Sequence, residues 1–89
     1  MIERTVKIVN PEGLHARPSG AMVAVALEHE STLRIRCAGR EVNGRSILEV
    51  IALGATCGSE LELCADGPDA EALVLALATL VASGFDGAN

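Results

Sequence analysis

The feature that limits this chain most is a hydrophobic period that keeps switching between two residues and about 3.6. The stretch IERTVKIV, residues 2–9, alternates: Ile2, Arg4, Val6 and Ile8 share one face, and Glu3, Thr5 and Lys7 the other. It reads as a half-buried strand in which Arg4 is the misfit. From Ala16, ARPSGAMVAVALEHE reads as a helix, with Pro18 in the first turn and Met22, Val23, Ala26 and Leu27 at helical spacing. TLRIRC alternates again, Leu33, Ile35 and Cys37 inward, Arg34 and Arg36 outward. AGRE is a tight hairpin signal, after which Glu41 and Val42 begin a short third strand. A short helix runs from about Ile47 to Leu53, closed by Gly54 or Gly58. SELELCAD is a fourth strand with Leu61, Leu63 and Ala65 on one face. Gly67-Pro68 then breaks the chain, and Asp69 is expected to cap a last helix through Ser83, along which Leu73, Leu77, Leu80 and Val81 recur. The tail GFDGAN is expected to be loose.

Strands that alternate polar and apolar leave one sheet face wet and one covered. The order strand, helix, strand, strand, helix, strand, helix is met by a two-layer α+β domain, a four-stranded sheet with the helices on one face. A length of 89 residues allows one such domain, spanning 1–89. Phe85 is the only aromatic residue, so Leu, Ile, Val and Ala must build the core. With a single aromatic and a formal net charge of -5, the chain lacks the stacking and phosphate-backbone footprints of a nucleic-acid binder. A small site for one phosphate remains compatible with that charge. No apolar run reaches membrane-spanning length, and MIERTVKIV is no signal peptide. The spacings of Cys37, Cys57 and Cys64 match no metal or redox motif, so they are expected to be reduced thiols acting as small core hydrophobes in a cytoplasmic protein.

The stretch NPEGLHARPSG, residues 10–20, carries the chemistry. His15 falls between a glycine turn and a helix, at or just before the N-cap. First-turn N–H groups are free there, and the dipole is positive, which favours phosphate. A neutral imidazole is a nucleophile, and Arg17, two residues on, can fork onto phosphate oxygens. Acceptance of a phosphoryl group on imidazole nitrogen, and its onward donation, fits this set. The plain alternative is an exposed loop histidine beside a solvated arginine.

NPEGLHARPSG resembles the active-site signature of the histidine-containing phosphocarrier proteins (HPr) of the bacterial phosphotransferase system. REVNGRSILEVIALGA, residues 40–55, is similar to that family's serine-site segment, and the two lie at the family's separation. The resemblance implies an open-faced β-sandwich with a four-stranded antiparallel sheet, in the order βαββαβα. It implies that enzyme I, charged from phosphoenolpyruvate, phosphorylates His15 on Nδ1. Arg17 and the backbone N–H groups of Ala16 and Arg17 would steady the phosphoryl group, which would then pass to an enzyme IIA-type acceptor. It further implies phosphorylation of Ser46 by an HPr kinase/phosphorylase. No cofactor or metal is implied, and a monomer is expected.

Ser46 has a structural reading as well. With Glu49 three residues on it forms a capping box, worth about 1 kcal/mol. Ile47, Leu48 and Ile51 cannot all be buried in so short a helix. Leu48 and Ile51 are expected to form an exposed apolar patch beside His15 that docks partners, the alternative being ordinary core.

Rival readings have less to stand on. Two distant histidines are too few for a metal site, and His29 falls at a helix end with no role. A phosphohistidine hydrolase would need an acid aimed at the leaving group, and Glu12 is the only nearby candidate. A regulatory docking module of the same fold, of a nitrogen-type branch, is the stronger rival. Family members that serve sugar uptake often carry lysines and an aromatic in the first helix, whereas SGAMVAVALEHE has neither.

Overall fold

A computed structural model describes residues 1–86. Its elements are β1 (Ile2–Lys7), α1 (Ala16–Leu27), β2 (Thr32–Cys37), β3 (Arg40–Asn43), α2 (Ile47–Ala52), β4 (Glu60–Asp66) and α3 (Ala70–Ala82). The strands form one antiparallel sheet in the order β1-β4-β2-β3. This is the expected α+β open-faced sandwich.

Register explains the two faces, because residues directly opposite one another point the same way. Ile35 pairs with Val42 on one side and Leu63 on the other, and Leu33 pairs with Ala65. All five are buried, together with Leu61. Met22, Val23 and Ala26 of α1, Val50 of α2, and Leu73, Leu77 and Val81 of α3 close over them. Each fully buried aliphatic chain contributes about 2 kcal/mol, and in a chain with one aromatic this face supplies most of the driving force. On the wet face, Arg36 donates from Nε to Glu41 and from Nη1 to Glu62, both at 2.7 Å. These are exposed pairs that contribute little to stability but agree with the register.

Several boundaries differ from expectation. β1 ends at Lys7 and Val9 is half-exposed, although Ile8 is fully buried. α1 stops at Leu27, which points to solvent, because the Arg45 guanidinium takes the carbonyls of Ala26, His29 and Ser31 at the helix end. The hairpin turn is only Ala38-Gly39, both at positive φ, so β3 starts at Arg40. Such mirror-type turns match the strand twist. Gly54, not Gly58, follows the C-cap Leu53 of α2. Of the cysteines, Cys64 is buried, Cys37 half-buried and Cys57 exposed, so Cys57 is no core residue.

Asp69 stands at the N-cap of α3, but its carboxylate makes no cap bond. It accepts instead from the Ser31 hydroxyl and from the N–H groups of Glu30 and Ser31, each N–H at 2.9 Å. Asp69 thus ties the α1–β2 loop to the start of α3. The expected loose tail is ordered as far as Asp86, and residues 87–89 lie outside the described part. Gly84 N–H reaches the Val81 carbonyl and Phe85 N–H the Leu80 carbonyl, both at 3.0 Å. That pair of bonds is a Schellman motif, and it turns Phe85 back into the core at 7% exposure.

Candidate functional site

The β1–α1 loop is locked before it reaches His15. Asn10 Nδ2–H donates to the Gly13 carbonyl at 2.8 Å, and Gly13 N–H returns a bond to the Asn10 carbonyl at 3.1 Å. Gly13 has φ +70, and a Cβ there would lie 2.5 Å from the Ala55 carbonyl oxygen. Only glycine permits both the turn and that backbone approach. Leu14 N–H then bonds the Ala55 carbonyl at 2.9 Å, fastening the loop to the segment after α2.

His15 is the N-cap of α1, in extended conformation. An N-cap side chain usually accepts from the first-turn N–H groups, but the His15 ring makes no such bond. Pro18 has no N–H, and Ser19 N–H is taken by the His15 carbonyl at 3.0 Å. The free donors of the first turn are therefore Ala16 and Arg17, the two named from the sequence. The imidazole is 43% exposed, and its Nε2 lies 3.1 Å from Glu12 Oε1. His15, Ala16, Arg17 and Pro18 line an open depression, walled by Asn10, Pro11 and Glu12 on one side and Gly84, Phe85 and Asp86 on the other. A nucleophilic ring, two backbone donors and a guanidinium thus face one depression large enough for a phosphoryl group.

In the sequence nothing places Phe85 and Asp86 at this site, and Glu12 stands out only as an acid for a hydrolase. Its spacing of three from His15 across a turn was the available signal. Phe85 was readable too: a lone aromatic just after a helix-ending glycine is a Schellman pattern.

The second segment is only partly as expected. Ser46 is the N-cap of α2, and its Oγ accepts from Glu49 N–H at 3.4 Å. The return arm of the capping box is absent, since the Glu49 carboxylate accepts from Asn43 N–H at 3.0 Å. The expected patch of Leu48 and Ile51 is instead Leu48 and Ile47, at 77% and 41% exposure. Ile51 is half-buried, although at three residues from Leu48 and four from Ile47 it shares their face of the helix. Ile47 rests over Gly20, one turn into α1, which puts the patch on the same flank of the molecule as the α1 start.

His29 donates from Nδ1 to the Val25 carbonyl at 2.7 Å, part of the α1 end. The candidate metal group among the described residues is Glu3, Glu62 and Cys64 on the wet face, where Glu62 already holds Arg36.

Fold and site together define a class: small open-faced α+β sandwiches that present a histidine at the start of their first helix. Residues 2–83 match the family described as the PTS HPr component phosphorylation site. The chain is 38% identical over 86 residues to the phosphocarrier protein HPr of Treponema pallidum, covering 97% of this chain and 98% of that one. It is 42% identical over 84 residues to the multiphosphoryl transfer protein of Vibrio cholerae, covering 91% of this chain but 21% of that longer one. The crystal structure of HPr-C-His from Thermoanaerobacter tengcongensis superposes with a TM-score of 0.92 at 36% identity, over 96% of both chains. The chain belongs to the HPr family, the phosphocarrier proteins of the phosphotransferase system.

Proposed function

We propose that residues 1–89 work as one HPr-like domain that accepts a phosphoryl group on Nδ1 of His15 from enzyme I and passes it to an enzyme IIA-type acceptor. The observation that carries this reading is the imidazole at the α1 N-cap, which caps none of the first-turn N–H groups and stands beside two free N–H donors and Arg17. The Nδ1 lone pair attacks phosphorus, and the two N–H groups and the guanidinium hold the equatorial oxygens as charge redistributes. Everything the transfer needs comes from one copy of the chain, which suits a monomer. No helix of the described residues is long and apolar enough to cross a membrane, which suits action in the cytoplasm. Ile47 and Leu48 form the docking patch, with Ile51 supporting it from beneath. Ser46 is the site at which an HPr kinase/phosphorylase regulates docking.

A second reading is a regulatory docking module of a nitrogen-type branch. It is favoured by the surface of α1, which presents Ala16, Arg17, Ala24 and Leu27 and no lysine. Under that reading His15 is still phosphorylated, but by a cognate enzyme I suited to a helix without lysines.

The test is incubation with phosphoenolpyruvate and a cognate enzyme I, scored for an acid-labile, base-stable adduct. His15→Ala should abolish it and His29→Ala should not. Label that survives in His15→Ala, or vanishes in His29→Ala, would overturn the assignment.

A further inference from the structure

We propose that Glu12 is the positioning residue of His15: its carboxylate holds the Nε2–H edge of the ring and leaves the Nδ1 lone pair as the nucleophile. The inference rests on the phosphocarrier reading above and names what orients its reacting atom. His15 Nε2 lies 3.1 Å from Glu12 Oε1. The contact is a charge pair by distance, and an ionised carboxylate draws the ring proton to the nitrogen nearest it. In a neutral ring the other nitrogen is then bare. Which imidazole nitrogen reacts is set by the partner the other one faces.

The same contact has a second consequence. As the Nδ1 lone pair forms the new N–P bond, the bond from phosphorus to the donor breaks and its electron pair leaves with the donor. The ring keeps its Nε2 proton and so gains a formal positive charge. Glu12 faces that charge. On onward donation the N–P pair returns to Nδ1 and the charge disappears. Glu12 therefore interacts more strongly with the transferring ring than with the resting one, the condition for accelerating a step.

Glu12 is exposed, yet its backbone is not free. The paired bonds between Asn10 and Gly13 close the turn that contains it. An exposed pair of this kind contributes little to stability, so its removal reports on the ring rather than on the fold.

The experiment uses Glu12→Ala, Glu12→Gln and Glu12→Asp in protein carrying 15N-labelled histidine. Ring tautomers are read by 1H–15N NMR. Phosphorylation is followed with two donors, potassium phosphoramidate, which needs no docking, and enzyme I charged from phosphoenolpyruvate. The parent should show the Nε2–H tautomer and label on Nδ1. Glu12→Ala should mix the tautomers and slow transfer from both donors roughly tenfold, the low end for orienting carboxylates because the pair is exposed. Its half-saturating concentration with enzyme I should not change. Glu12→Gln should keep the tautomer but still slow transfer, and Glu12→Asp should recover part of the rate. A Glu12→Ala protein with parental tautomer and rate overturns the inference. So does a defect seen only with enzyme I as a raised half-saturating concentration, since that places Glu12 in docking. Glu12→Gln as fast as the parent removes the charge effect. A parent that takes no label on His15 brings down the phosphocarrier assignment itself, and this inference with it.

Discussion

Arg17 and Asp69 are both charged residues at the start of a helix, and they do opposite work. Arg17 is exposed, with no hydrogen bond or ion pair from its side chain among the described residues, which leaves its guanidinium free for phosphate oxygens. Arg17→Ala should therefore slow phosphoryl transfer by about 2–4 kcal/mol in barrier, the usual loss for one charged donor at a transition state. Its thermal midpoint should match the parent within error, because an unpaired surface charge adds little stability. A large fall in midpoint would show that Arg17 is structural. Asp69, by contrast, is fully engaged. The Ser31 hydroxyl and then the Glu30 N–H hold its carboxyl at about 2, below the ordinary 3.8. A carboxyl depressed in the folded state stabilises the fold above its unfolded pKa, and that stability is lost as pH falls through the folded value. Asp69→Asn should lower the melting temperature at neutral pH, and the gap should close between about pH 4, near the unfolded value, and about pH 2. A gap that stays constant across that range would mean the carboxylate charge is not what ties Ser31 to α3.

At the scale of elements, the parts that were legible are those governed by local periodicity. β2 and β4 alternate cleanly, and their inward residues Leu33, Ile35, Leu61, Leu63 and Ala65 are all buried. The α1 start was legible because Gly13 and Pro18 punctuate it. What sequence reading missed depends on long-range partners. The Asp69 side chain bonds residues 38 and 39 positions away, where a local rule puts it on its own helix. Glu49 goes to Asn43 because the β3–α2 turn brings that N–H within reach. Leu27 fits a helical stripe, but the stripe ends where Arg45 takes the last carbonyls. The C-terminal turn of α3 is the most consequential miss, since it supplies one wall of the site. Phe85→Ala should cost about 3 kcal/mol, the low end for a buried aromatic truncation. Urea unfolding should show a lower midpoint with little change in slope. If Phe85→Ala unfolds like the parent, the turn is an ornament on α3 rather than part of the core.

For the whole molecule, the deciding quantity is how charge is distributed about the proposed docking flank. The formal net charge is -5, yet Ile47 and Leu48 form an apolar patch beside α1, whose only ionisable side chain is Arg17. Ser46 adjoins that patch in the chain and caps α2, so a change there separates structure from association. Ser46→Asp preserves the cap, since aspartate caps as well as serine. The fold and its melting temperature should therefore stay put, while the formal charge goes from -5 to -6 (-5 - 1). At a docking surface the new carboxylate must be desolvated or repelled, and phosphoserine would impose more of the same. The expected result is a raised apparent Michaelis constant for this protein as substrate of enzyme I, with the maximal rate little changed. Raising salt from about 0.1 M to about 1 M shortens the screening length from about 10 Å to about 3 Å, so the gap between variant and parent should narrow. Ser46→Ala controls for the cap: it should lower stability by about 1 kcal/mol and leave the Michaelis constant alone. A Ser46→Asp protein that equals the parent in affinity and rate at low salt would return Ser46 to the role of a helix cap.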